Sequence, residues 1–140
     1  MNFSGQFNVS IDLKGRVSVP ASFRDELREA YQSESIVVTT FDCGLVGYPP
    51  SRWKEICAKV EALPPGPLKD ANRRTRIAPA QECSFNKQGR IQIPQALRDY
   101  ADLQKDAVVI GMFEKIEIWN REAHMRISQE SEGVLKQNAQ

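Results

Sequence analysis

The sequence predicts a mainly β fold with short helices, of the α+β class, in which two tandem halves form one closed, pseudo-twofold barrel. The first observation is an internal repeat, because a stretch that begins at Ile11 returns later at a constant offset. The matching residues are Gly15, Arg16 and Pro20 in the first copy and Gly89, Arg90 and Pro94 in the second. The second observation is that each half reads strand–strand–helix–strand–strand–helix, which is too little to bury its own sheet. Two interlocked halves would share one core and leave no strand edge unpaired.

Each copy of the repeat has the residue pattern of a half-buried hairpin. In the first copy Val17 and Val19 alternate with polar neighbours, and a similar alternation precedes the turn at Gly15. Glycine suits a turn that needs positive φ, and it lets another backbone approach closely. Arg16 and its counterpart Arg90 are out of phase with the apolar residues. We therefore expect each copy to present an outward-pointing guanidinium beside a glycine turn.

The remaining elements follow in the same order in both halves. The first half predicts a helix at residues 21–32, strands at 36–41 and 45–48, a helix capped by Ser51, and a short arginine-bearing helix at 68–77. The second half predicts strands at 82–86 and 90–93, a helix at 95–101, strands at 108–112 and 116–119, and a helix capped by Asn120. These elements divide the chain into a first repeat at 5–50, a helical connector at 51–80, a second repeat at 81–123, and a C-terminal helix with a tail at 124–140 that we expect to fray from Gln129.

Composition argues against several classes of protein. The formal net charge is only +1, and no apolar run is long enough to cross a bilayer or to form a signal peptide. The three cysteines, Cys43, Cys57 and Cys83, form no CxxC pair, so neither a disulfide framework nor a zinc site is expected. The single histidine, His124, has no companion ligand. We predict no metal, no cofactor and no small-molecule ligand.

Basic residues gather at the two predicted turns. Arginine can donate two parallel hydrogen bonds to O6 and N7 of guanine, whereas lysine mainly attracts phosphate. Arg16 and Arg90 are therefore candidates for base readout or close phosphate contact, with Lys14 and Lys87 in support. The alternative for Arg16 is a pair with Asp12 that only stabilises the turn.

Other conspicuous residues have simpler interpretations. Arg24 and Arg98 each lie beside an aspartate on a short helix, which favours a structural role. The connector arginines are open to three interpretations: a solvated face, a subunit interface or a phosphate-binding patch. These arginines are Arg73, Arg74 and Arg76.

The duplicated motif resembles the MraZ family, whose chains contain two AbrB-like, swapped-hairpin halves. The resemblance extends to about residue 127. It is carried by Asp12, Lys14, Gly15 and Arg16 in the first copy, by Lys87, Gly89 and Arg90 in the second, by the Arg73-Arg74 connector, by Ala80, Glu82 and Cys83, and by the tryptophan-bearing segment 116–120. Two positions depart from the family. Ser4 replaces the usual arginine, and Asn86 replaces an aspartate that could pair with an arginine in the second half.

The resemblance implies a cytoplasmic, nucleoid-associated transcriptional regulator that binds double-stranded DNA and assembles into a ring-like homo-oligomer. It also implies that the target is a set of tandem short G-rich repeats in the promoter of its own division and cell-wall gene cluster. Carried over by position, Lys14 and Arg16 match the family's first DNA-contacting motif, and Lys87 and Arg90 match the second.

Three other functions are weighed against DNA binding. An enzyme is not expected, because the sequence lacks a paired histidine and nucleophile, a phosphate-cradling glycine loop and an acidic pair at motif spacing. An interaction protein whose ring is itself the function would tolerate replacement of Arg16 and Arg90. An AbrB-like antitoxin fits less well, since such chains usually carry one copy of the motif and a partner-binding tail.

Overall fold

The structure is a computed structural model that describes residues 2–139. In chain order its elements are β1 (Gln6–Ser10), β2 (Arg16–Ser18), α1 (Ala21–Tyr31), β3 (Ser35–Phe41), β4 (Gly44–Tyr48), α2 (Pro50–Glu61), α3 (Pro67–Asn72), a π-helical turn (Arg73–Ile77), β5 (Gln81–Ser84), β6 (Arg90–Gln92), α4 (Gln95–Tyr100), β7 (Asp106–Gly111), β8 (Ile116–Asn120) and α5 (Arg121–Gln137). The predicted α+β class is confirmed, since short helices alternate with strands in both halves.

The strands form an open antiparallel sheet and a separate ribbon, so the prediction of a closed barrel is wrong. Six strands pair in the order β1-β7-β8-β4-β3-β5, and β2 pairs only with β6. Beyond β1 the chain enters a turn, and among the described residues the only ladder pairing between the two sides of that turn is the isolated bridge between Ile11 and Val17. β1 and β5 therefore end the sheet, and the β2–β6 ribbon lies outside it.

The two halves are interlocked. In the register of the sheet, Gln6 of β1 lies opposite Ile110 of β7, and Ile36 of β3 lies opposite Cys83 of β5. If the labels of the two halves are exchanged, β1 with β5, β3 with β7 and β4 with β8, the strand order is the same when read from the opposite edge of the sheet. This exchange is the predicted pseudo-twofold arrangement. The predicted hairpins are wrong, because the two strands that flank each glycine turn do not pair with each other. Instead β1 pairs with β7, β5 pairs with β3, and β2 pairs with β6.

One core is shared by both halves. Helices α1 and α4 place Leu27 and Leu97 in it, and Phe23 packs edge-on against Phe3 with ring centroids 5.6 Å apart. Both prolines that precede these helices occupy the cap position, where the missing N–H costs nothing. The two helices close the core beside the ribbon and hold it in place.

Three local predictions have definite outcomes. Asn120 caps α5 as predicted, since its side-chain oxygen accepts a hydrogen bond of 2.7 Å from the amide of Ala123. Ser51 does not cap α2, because Pro49 holds that position and the helix begins at Pro50. The tail from Gln129 does not fray where the sequence predicted, and α5 continues to Gln137.

Candidate nucleic-acid interface

The β2–β6 ribbon carries both predicted arginines on its solvent face. Val17 and Ile91 lie opposite each other at its centre and are fully buried, so the residues on either side of them point outward. Arg16 and Arg90 are diagonal neighbours in this register, which places their Cα atoms roughly 7–8 Å apart. The remaining outward positions are Ser18 and Gln92.

The turn that leads into β2 is organised by one carboxylate. Oδ1 of Asp12 accepts hydrogen bonds of 2.9 Å from the amides of Lys14 and Arg16, and Oδ2 accepts one of 2.7 Å from Nε of Arg16. The amide of Gly15 closes the turn onto the carbonyl of Asp12 at 2.9 Å. The backbone and guanidinium donors of Arg16 lower the pKa of Asp12 to about 2. The pair between Arg16 and Asp12 that the sequence offered as an alternative is therefore present, but it uses only Nε of the guanidinium group.

The turn that leads into β6 keeps the backbone and changes the side-chain chemistry. Oδ1 of Asn86 accepts from the amides of Gln88 and Arg90, both at 2.9 Å, as Asp12 does in the first turn. An amide cannot balance a guanidinium charge. Arg90 instead donates from Nη2 to the side-chain oxygen of Gln88 at 2.8 Å, and its Nη1 lies 3.6 Å from Oδ2 of Asp12. The carboxylate–arginine pair therefore forms across the two halves, which sequence reasoning did not foresee.

Each glycine turn holds an arginine from the opposite half. Gly15 and Gly89 have φ of 82° and 75°, and a Cβ built on them would lie 2.4 Å from Cζ of Arg98 and 2.5 Å from Cζ of Arg24. These arginines also donate from Nε to backbone carbonyls at the end of their own ribbon strand. Glycine is favoured here by its positive φ, and a Cβ would in addition force the guanidinium to move aside. Arg24 and Arg98 therefore have the structural role that the sequence favoured, since each packs against the glycine turn of the other half.

That contact was missed at the level of sequence, although its signal was present. Arg24 and Arg98 recur at the same offset as the glycine turns, so the repeat marked them as a matched pair. Sequence alone did not indicate that each would reach the turn of the other copy. Two backbone bonds repeat this exchange, from Ile93 to the carbonyl of Gly15 and from Val19 to that of Gly89.

The lysines lie farther apart than the arginines. Because the ribbon is antiparallel, its two turns lie at opposite ends, with Lys14 on one and Lys87 on the other. Both are exposed, and within residues 2–139 neither forms an ion pair. The side chain of Leu13 is fully exposed beside Lys14. The two arginines therefore point outward from the ribbon, and the two lysines lie in the turns at its opposite ends.

Other kinds of site find little support in the part of the chain that the structure describes. Residues 2–139 contain no group of three or more histidine, cysteine, aspartate or glutamate side chains placed to hold a metal ion. Burial raises the pKa of the Cys83 thiol to about 11, which keeps it protonated and unreactive near neutral pH. No helix in this range has both the length and the apolar character needed to cross a membrane.

The whole chain is similar to proteins of one known family. The family described as "MraZ protein, putative antitoxin-like" matches residues 2–71 and 77–140. A protein named transcriptional regulator MraZ from Syntrophotalea carbinolica is 46% identical over 143 aligned residues, which cover 100% of this chain and 95% of that relative. Another protein of that name, from Natranaerobius thermophilus, is 39% identical over 140 residues and is covered to 94%. The two matched segments are separated by residues 72–76, which overlap the π-helical turn, and each segment contains one repeat.

Proposed function

This chain belongs to the MraZ family, and from that premise we propose that it is a sequence-specific DNA-binding regulator of transcription. The regulatory part rests on the relatives, which are named transcriptional regulators. The DNA-binding part rests on one observation, the outward-facing pair of Arg16 and Arg90 on a two-stranded ribbon. A ribbon of this kind fits the major groove of B-DNA, where proteins read base edges.

The two arginines would read bases two base-pair steps apart. Nε of Arg16 is held by Asp12, and its terminal nitrogens donate to none of the described residues, so they remain available for guanine O6 and N7. The diagonal spacing of roughly 7–8 Å is close to two base-pair steps of about 3.4 Å. Such spacing suits a short G-rich element read by both halves of one protomer.

The lysines would position the ribbon without reading sequence. Lys14 and Lys87 lie beyond the arginines at both ends of the ribbon, where the phosphate backbones border the groove. Their exposure leaves the ammonium groups free to displace counterions. Base readout at the centre and phosphate contact at the ends together make the interface.

The target and assembly follow from the family resemblance. The proposed target is a set of tandem short G-rich repeats in the promoter of the protein's own division and cell-wall gene cluster. The proposed assembly is a ring-like homo-oligomer in the cytoplasm, associated with the nucleoid. A ring presents many ribbons at once, so contacts that are weak singly would add through high effective concentration on repeated sites.

A fluorescence-anisotropy titration tests this function. Wild type should bind duplex with tandem G-rich repeats more tightly than a shuffled duplex, and Arg16→Ala or Arg90→Ala should weaken that binding by about 10- to 100-fold. Arg121→Ala serves as the control, because Arg121 is exposed on α5 and belongs to neither the ribbon nor its turns. Equal affinity of wild type for both duplexes would refute sequence-specific recognition.

A second candidate function comes from the wording of the family description, which includes "antitoxin-like". In that role the chain would mask a partner protein, and DNA binding would be incidental. The same titration separates the two candidates when the variants are also assayed for regulatory activity in cells. Retained biological activity in Arg16→Ala and Arg90→Ala, with DNA binding lost, would favour the masking role.

A further inference from the structure

A basic cavity lies away from the ribbon, between the connector and the far end of the sheet. Its volume is about 250 Å³. It is bounded by β4, α2, the π-helical turn and the loop between β7 and β8, through Tyr48, Arg52, Ile56, Lys59, Val60, Arg76, Glu114 and Lys115. We call it the connector cavity. None of its side chains belongs to the interface described above.

The charges around the connector cavity are not balanced. Four of its side chains are cationic and one, Glu114, is anionic. Arg52 has a distant ion pair with Glu55, at 4.0 Å. Within residues 2–139, Lys59, Arg76 and Lys115 form no ion pair, and the ammonium group of Lys115 instead lies 4.9 Å from the ring centroid of Phe41. Four cations around one cavity with a single carboxylate in its lining favour an anion between them.

Arg76 is fixed at the wall of this cavity. Its carbonyl accepts a hydrogen bond of 2.6 Å from the hydroxyl of Thr39, which ties the π-helical turn to β3. Its Nη2 donates to the hydroxyl of Tyr48 at 3.1 Å, and its Nε is buried with no acceptor among the described residues. A partly desolvated guanidinium that meets no carboxylate carries a free-energy cost. An anionic ligand at its terminal nitrogens would offset that cost.

The other half supplies an internal comparison. The corresponding cavity there has a volume of about 180 Å³ and lies between α5 and the loop joining β3 to β4. Trp119 takes the place of Tyr48, and the charged side chains are Asp42, Arg126 and Glu130. The fold therefore tolerates acidic groups at this position. The positive charge of the connector cavity is a property of the first half alone.

We propose that the connector cavity binds a small phosphorylated molecule. The guanidinium groups of Arg52 and Arg76 can donate paired hydrogen bonds to phosphate oxygens, and the ammonium groups of Lys59 and Lys115 add positive charge to the lining. Ile56 and Val60 provide an apolar wall for a small carbon skeleton. The volume lies just below the usual range for ligand sites, which limits the ligand to a compact molecule. Such a ligand would make this regulator responsive to a metabolite, independently of its DNA contacts.

Titration calorimetry with pyrophosphate at constant ionic strength tests the proposal. Wild type should show saturable binding, and Arg76→Gln or Lys59→Gln should each weaken it by about tenfold or more. Glutamine at position 76 keeps the carbonyl that Thr39 binds, so the turn stays anchored. Lys54→Gln is the matched control, because Lys54 is exposed on the same helix outside the cavity.

Two further variants make the result decisive. The double variant with Arg16→Ala and Arg90→Ala should bind pyrophosphate as tightly as wild type. If that variant lost pyrophosphate binding, the anion site would lie on the ribbon and the proposal would be overturned. Unchanged binding in both Arg76→Gln and Lys59→Gln would also overturn it. If those two variants instead lowered the oligomer mass while keeping pyrophosphate affinity, the cavity would be a protein contact and the proposal would fall.

Discussion

The turn that leads into β2 and the turn that leads into β6 have the same backbone and different charges. In each, an Asp or Asn side chain accepts two amides and a glycine closes the turn at positive φ. Only Asp12 carries a carboxylate, and it contacts the guanidinium groups of both Arg16 and Arg90. The turn geometry therefore depends on the amide-accepting oxygen and the glycine. The charge at that position is free to vary between copies.

The largest expected effect comes from removing the feature that the two turns share. Gly15→Ala and Gly89→Ala would each place a Cβ against a guanidinium and hold a non-glycine residue at positive φ. We expect each to lower the free energy of unfolding by about 1–3 kcal/mol. Chemical denaturation measures this loss, which should be similar for both variants because the contacts are reciprocal.

Gly133 provides the control for that experiment. It lies within α5, and no atom lies within 4 Å of a Cβ built on it. Gly133→Ala should therefore raise stability by about 0.5–1 kcal/mol through helix propensity. If Gly15→Ala and Gly89→Ala were as stable as wild type, the arginines could move aside freely, and the proposed preference for glycine would be wrong.

A smaller effect comes from exchanging what the turns do not share. The pKa of Asp12 lies at about 2, below its ordinary value of 3.8, because Arg16 donates to the charged form. Its contribution to stability is therefore complete above pH 4 and is lost as the pH falls toward 2. Asp12→Asn should flatten the decline of the unfolding free energy between pH 4 and pH 2, and Asn86→Asp should steepen it.

Acid denaturation followed by circular dichroism measures both slopes. Glu61, whose pKa is lowered by Arg73, is unchanged in every variant, so its contribution cancels in the comparison. The prediction fails if Asp12→Asn declines as steeply as wild type. That outcome would mean that the carboxylate is equally well stabilised in the unfolded chain.

The smallest effect concerns the two lysines at the ends of the ribbon. Lys14 and Lys87 occupy different positions of their turns, Lys87 aligning with Leu13 and Lys14 with Gln88. If each meets one phosphate, Lys14→Gln and Lys87→Gln should each reduce the slope of log affinity against log salt by about 1, with base preference unchanged. Lys136→Gln, near the end of α5, should leave the slope as it is. A changed base preference would assign sequence readout to the lysines.

Much of the fold was predictable because the repeat reports local structure twice. Apolar alternation around Gly15 and Gly89 predicted both turns, and the capping residue Asn120 predicted where α5 begins. Strand partners were not predictable in the same way. An alternating strand specifies which face is buried but says little about which strand lies beside it. The predicted closed barrel failed for this reason, since β1 and β5 stay at the edges of the sheet.

The candidate site shows the same division between local and distant information. The outward direction of Arg16 follows from its phase against Val17, which is local. The contact of Arg90 with Asp12, and those of Arg24 and Arg98 with the opposite glycines, join residues from different copies. The charged residues in the sequence of one turn do not indicate contacts with the other copy. They follow only from the way in which the halves interlock.

The pairing of β1 with β7 also bears on how the protein emerges from the ribosome. The partner of Gln6 is Ile110, so most of the chain must be synthesised before the first strand finds its neighbour. Until then a nascent first half exposes an unpaired β-strand edge, the kind of surface that invites wrong association. Contacts this distant in sequence also slow folding. Folding of the sheet is therefore completed only after the second half has been synthesised. A chain released before β7 lacks the strand that pairs with β1.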